Sequence, residues 1–176
     1  MRMIAALFIC MLCSQSASWA QNHADKLPSS ARLTLNRRFP GWKFAEVSQE
    51  VRQFFETEMK GKLPDLISGD FDGNGQPDHA ALIRHGKVRN GEGKAIWPRF
   101  FLVVFLRKGR SHRMYVIKDP NGEYLCLAKK GTKDFNYDEQ KEITYANDAI
   151  QTGIFEKGGS SYVYENGRFR SFVSSD

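Results

Sequence analysis

The chain has 176 residues, 41% of them hydrophobic and 26% charged, and a formal charge of +6. That is one domain's worth of chain, enough for a core that supports itself without disulfides. The mild basic excess is not gathered on one predicted helix; it falls short of a nucleic-acid-binding signature and suits anionic neighbours such as envelope polymers, lipid head groups or acidic proteins.

The first twenty residues read as a cleavable secretory signal peptide. Arg2 gives a positive start, an uncharged apolar run extends from Ile4 to Leu12, and the small residues Ser18 and Ala20 predict cleavage after Ala20. The apolar run is too short for a membrane span, so no transmembrane anchor is expected after cleavage. Cys10 and Cys13 follow Ile9 and Leu12 rather than the small residue that lipidation wants. Both leave with the leader, so of three cysteines only Cys126 remains, in an apolar strand-like run that makes it a buried inert thiol. The localisation expected is periplasmic or extracellular, with residues 21–176 forming a single domain.

Ser29 and Ser30 predict the N-cap of a short helix to about Phe39, with Leu33 and Phe39 on its apolar side and Pro40-Gly41 ending it. A short strand is expected over Trp42–Val47. Ser48 then caps an amphipathic helix in which Val51, Phe54, Phe55 and Met59 recur at helical spacing, Gly61 ends it and Pro64 prevents its resumption. From Leu66-Ile67 onward the pattern turns extended. Strands are expected over Ala80–Ile83, Phe100–Leu106, Arg113–Ile117, Glu123–Ala128, Ile150–Phe155, Ser161–Glu165 and Arg168–Val173. The run Phe100–Leu106 is apolar on both parities, as for a strand buried on both faces. Asp119-Pro120-Asn121-Gly122 is a turn, and Asn166-Gly167 a tight hairpin of the type that needs positive φ. The fold class expected is therefore α+β: N-terminal helices packed on a mainly antiparallel sheet of about six strands.

One loop carries chemistry. In Gly69-Asp70-Phe71-Asp72-Gly73-Asn74-Gly75-Gln76-Pro77-Asp78, the residues Asp70, Asp72, Asn74 and Asp78 occupy positions 1, 3, 5 and 9 of an Asp-rich calcium loop. Gly75 stands at the sharp turn and Gln76 offers its backbone carbonyl. Alternate residues of a tight loop point inward together, which gives a hard divalent cation the oxygens it needs. Position 12 is Ala81 and both flanks are strand-like, which rules against an EF-hand. The segment resembles the calcium loop of FG-GAP or VCBS-type repeats, where an apolar strand ends in this motif and resumes after Pro-Asp. That resemblance implies Asp70, Asp72, Asn74, Gln76 and Asp78 as ligands of a structural Ca2+. It covers about fifteen residues and a single copy, so a multi-bladed propeller is not implied; the whole chain is similar to small exported bacterial proteins with one such loop. Without a metal, the same loop reads as an Asx-rich turn whose carboxylates cap local backbone N–H groups.

No catalytic residues are identified. His79 and His85 share a strand face and read as solvated strand-end histidines; Gly158–Ser161 reads as a loose hairpin turn rather than a nucleophile elbow. Basic turns at Arg84–Lys94, Arg107–Arg113 and Lys129–Lys133 would form a cationic rim if two of them met at one end of the sheet. The function expected is a non-enzymatic exported binding module, stabilised by one calcium-type loop, whose partner is a protein or an anionic envelope component and not nucleic acid. The alternative is a small metal-dependent hydrolase acting on an envelope substrate.

Overall fold

The computed structural model describes residues 25–60, 62–89 and 95–175. The expected signal peptide, His23, the Gly61 cap and the turn at 90–94 lie outside the described residues. Among those described, two helices, α1 (Ser29–Arg38) and α2 (Gln49–Thr57), accompany eleven strands. These are β1 (Lys43–Phe44), β2 (Leu66–Gly69), β3 (Asp78–Arg89), β4 (Ala95–Lys108), β5 (Ser111–Lys118), β6 (Tyr124–Ala128), β7 (Lys133–Asn136), β8 (Lys141–Thr144), β9 (Ala149–Ile154), β10 (Gly158–Glu165) and β11 (Arg168–Ser175).

The strands form three antiparallel sheets, and this overturns the expected α+β class of helices packed on one sheet. The first sheet runs β1-β3-β4-β5, with β2 also pairing β3; the second runs β11-β10-β9-β6; β7 and β8 form a separate hairpin. The physical reason is the parity of the long central strands. Ala80, Leu82, Leu102, Val104 and Leu106 point to one face of the first sheet and pack against Leu125, Ile150 and Tyr162 of the second. Ala81, Ile83, Phe101, Val103 and Phe105 point to the other face, where α1 lays Ala31 and Leu35. A strand apolar on both parities thus takes a sheet on one side and a single helix on the other. The outer face of the second sheet is covered in turn by the β7–β8 hairpin, around Ala128, Tyr145, Ala149 and Phe172.

The helices differ from expectation in detail. Pro28 stands at the N-cap of α1 without a side-chain cap, so Ser29 and Ser30 are already helical. Leu33 is 58% exposed, because Ala31, Leu35 and Phe39 recur at four-residue spacing and take the inner face from it. In α2 the Ser48 hydroxyl accepts the Val51 N–H, and Val51 and Phe55 are buried. The Gly158–Ser161 segment is the start of β10 rather than a turn, since Ser160 and Ser161 pair with Thr152 and Gln151 of β9. The Asn166-Gly167 turn joins β10 to β11, with positive φ at both residues. Among the described residues no helix is long and apolar enough to cross a membrane.

Candidate metal-binding loop

Asp70 to Pro77 connects β2 to β3, two strands paired in register from Leu66↔Ala81 to Gly69↔Asp78. The chain must reverse within a few residues, and Gly73 (φ +73°) and Gly75 (φ +79°) supply the left-handed conformations that make this possible. A side chain at Gly73 would also collide with the Asn147 amide. Phe71 turns inward and is fully buried between the two sheets. Its burial anchors the loop while the neighbouring carboxylates stay at the rim.

Asp70, Asp72 and Asp78 each bring a carboxylate oxygen into a group whose members lie within 4.8 Å of one another. Much of their hydrogen-bonding capacity is already engaged. Asp70 Oδ2 accepts the Gly75 N–H at 2.9 Å and Asp72 Oδ1 the Asn74 N–H at 3.2 Å. Asp78, fully buried, accepts the Phe71 N–H at 2.9 Å on one oxygen and the Arg107 N–H at 2.6 Å on the other. These bonds are what the metal-free Asx-turn reading requires. Asp70 Oδ1 is the exception, being buried with no hydrogen-bond partner. A buried acceptor left so is a place for a cation or a water to meet. Asn74 and Gln76 sit on the same turn: the Asn74 oxygen accepts the Gln76 N–H at 2.7 Å, and its amide donates to the Arg107 carbonyl at 2.9 Å.

Burial pushes the Asp78 carboxyl up from 3.8 to about 6, against the pull of the Arg107 and Phe71 N–H groups, with nearby Asp72 adding to the rise. A carboxyl raised on folding stabilises the fold most when protonated. Its contribution is fully present below 3.8 and is lost as pH rises through about 6. In chelator, the Asp78 carboxyl carbon is therefore expected to titrate near pH 6 by NMR. A midpoint at the ordinary aspartate value would remove the burial argument.

The loop is held from the second sheet by Asp148, which the sequence did not single out, together with the basic turn at Lys129–Lys133. Asp148, buried just before β9, accepts the Asp70 N–H at 3.0 Å and the Lys130 N–H at 3.0 Å, and pairs with Lys129 at 2.9 Å. The Asp148 N–H returns a bond to the Asp70 carbonyl. Burial raises the Asp148 carboxyl, but Lys129 and the two N–H groups outweigh it and hold it below its ordinary value. The turns at Arg107–Arg113 and Lys129–Lys133 thus both reach the loop, the first through the bonds at Arg107 and the second through Asp148.

The histidines are not the solvated strand-end groups expected. His79 and His85 are half-buried on the α1 face of β3, opposite to Asp78, and His85 Nε2 lies 3.1 Å from the Pro40 carbonyl. His79 instead meets His112, ring centroids 6.5 Å apart, and burial lowers both below the ordinary histidine value. Half-buried Cys126 has its thiol raised by burial, consistent with an inert group. Ser161 is fully buried and bonds the Tyr145 hydroxyl at 2.7 Å, while Tyr145 donates to Asp134. That network fastens the β7–β8 hairpin to the second sheet and leaves Ser161 unable to attack a substrate.

Compared with known proteins, the chain matches no family model, no curated protein and no solved structure.

Proposed function

We propose that this chain is an exported, non-enzymatic binding module whose loop at 70–78 takes a calcium-class cation. The single observation carrying this reading is Asp70 Oδ1, a buried carboxylate oxygen without a partner inside a group of three converging carboxylates. A hard cation there would satisfy that oxygen and offset the mutual repulsion of Asp70, Asp72 and Asp78. The FG-GAP- and VCBS-like spacing supports Asn74 and the Gln76 carbonyl as the further ligands. The ion's role is to pin the junction where β2, β3 and the start of β9 meet.

A binding role is favoured over the hydrolase because, among the described residues, the groove of about 320 Å³ that ends at Asn147 and Asp148 is lined by none of the three loop carboxylates. Metal hydrolysis needs an open coordination position beside a substrate cleft. Export rests on the leader sequence, and the basic turns flanking the loop favour an acidic protein surface or an anionic envelope polymer as partner.

The deciding experiment is the melting temperature of residues 21–176 with chelator and with millimolar calcium, beside Asp72→Ala. At extracellular-type affinities, about 10⁻⁴–10⁻³ M, calcium is expected to add about 1–2 kcal/mol, a rise of a few degrees that Asp72→Ala abolishes. An equal rise in both proteins, or none in either, would reduce the loop to a metal-free turn.

A further inference from the structure

We propose that the groove beside β8 receives an extended peptide segment of a partner protein, which adds to β8 as a further strand. The groove is about 320 Å³, within the range of built ligand sites, and runs from the tip of the β7–β8 hairpin to Asn147 and Asp148. Its floor includes Ile143, Val163 and Phe172, apolar side chains from β8, β10 and β11.

The wall formed by β8 has an open backbone edge. Among the described residues β8 pairs with β7 alone, in the register Lys133↔Thr144 to Asn136↔Lys141. The Tyr145 N–H bonds the Thr132 carbonyl, which makes that pair, and every second pair from it, the bonded ones. Alternation in an antiparallel ladder then turns the N–H and C=O of Glu142 and Thr144 away from β7. Both residues are exposed. An incoming strand would satisfy those groups and set alternate side chains onto the apolar floor.

The rim fixes the chemistry of the occupant. Lys141 pairs with Glu139 on the hairpin side and Arg170 with Glu165 on the β10–β11 side, while Arg170–Glu139 spans the groove, in ion pairs of 2.5–3.2 Å between side chains 39–59% exposed. Exposed pairs of this kind are weak and exchange readily with an incoming charge. Two cations and two anions around an apolar floor complement a segment bearing both signs with an apolar residue between, not a polyanion. The proposal does not depend on whether the loop at 70–78 holds a cation.

The test uses the mature chain, labelled for NMR, and blocked pentapeptides with valine at alternate positions. One set has lysine and glutamate at opposite ends in both orders, and a control set ends in glutamine. The charged peptides are expected to shift and slow exchange of the Glu142 and Thr144 amides, the control peptides less so. Thr144→Pro removes an outward N–H without touching the β7 ladder and is expected to weaken binding by about tenfold at unchanged Tm. If that variant melts early, Arg170→Glu serves instead and is expected to change which charge order binds. Three outcomes would overturn the proposal: no protection at Glu142 and Thr144 with any peptide, shifts that map to another surface, or the same shifts from a free amino acid or monosaccharide.

Discussion

Phe71→Ala is expected to be among the most damaging single changes in the chain, lowering stability by about 3–5 kcal/mol and Tm by on the order of 10 °C. Phe71 is one of the largest fully buried side chains and lies in the core between the two main sheets, among Leu82, Val104, Leu125 and Ile150. It is also the second residue of the loop, and its N–H is one of the two bonds received by Asp78. Truncation opens a cavity and frees the loop's anchor together, so the rise in Tm with calcium proposed above should shrink along with the basal value. Phe71→Leu, which keeps most of the volume, separates the two effects: a modest fall in Tm with the calcium response retained. A Phe71→Ala protein melting within about 2 °C of the parent would mean that the loop is not anchored as described.

The second large effect is expected at Asp148. Asp148→Ala removes the acceptor of the Asp70 and Lys130 N–H groups and the partner of Lys129 at the seam between the sheets. Lys129 is 66% exposed, so its pair adds little; the backbone bonds of the buried carboxylate carry the cost. Two N–H groups left without an acceptor cost about 2–5 kcal/mol together, and a loss of about 5–15 °C in Tm follows. The sign of the pH dependence gives an independent check. Because the folded Asp148 carboxyl lies below 3.8, its contribution is present above that value and is lost as pH falls further. The stability difference between parent and Asp148→Ala in urea should therefore narrow in strong acid. A difference that stayed constant from pH 7 into strong acid, well below 3.8, would sink this assignment.

The candidate loop was legible from its own residues because its chemistry is local. The motif of Asp70, Asp72 and Asp78 around the turn that Gly73 and Gly75 allow lies within nine residues, although Arg107 and Asp148 from distant chain help to hold it. The Ser48 cap and the Asn166-Gly167 turn were legible for the same reason. The β7–β8 hairpin was not. Its strands, Lys133–Asn136 and Lys141–Thr144, are short and charged and leave only Asn136 buried, so no apolar alternation marks them. Asp148 was equally hidden, since nothing within a few residues of it announces a loop 78 positions away. The fold class failed through the second sheet. The residues of β9 and β10 that face the hairpin include Gln151 and Ser161, polar groups satisfied by Tyr145 and Asp134, so those strands gave little sign of being buried on both sides.

The bond between Asp70 and Asp148 also orders events in time. Its partners are 78 residues apart, and closing a loop of that length costs about 4 kcal/mol of chain entropy before any contact rewards it. The hairpin from β2 to β3 is local and is expected to form early, with its acidic turn still loose. The seam closes only when the last third of the chain has been laid against it. For the cation proposed above, uptake during refolding is therefore expected to lag strand formation.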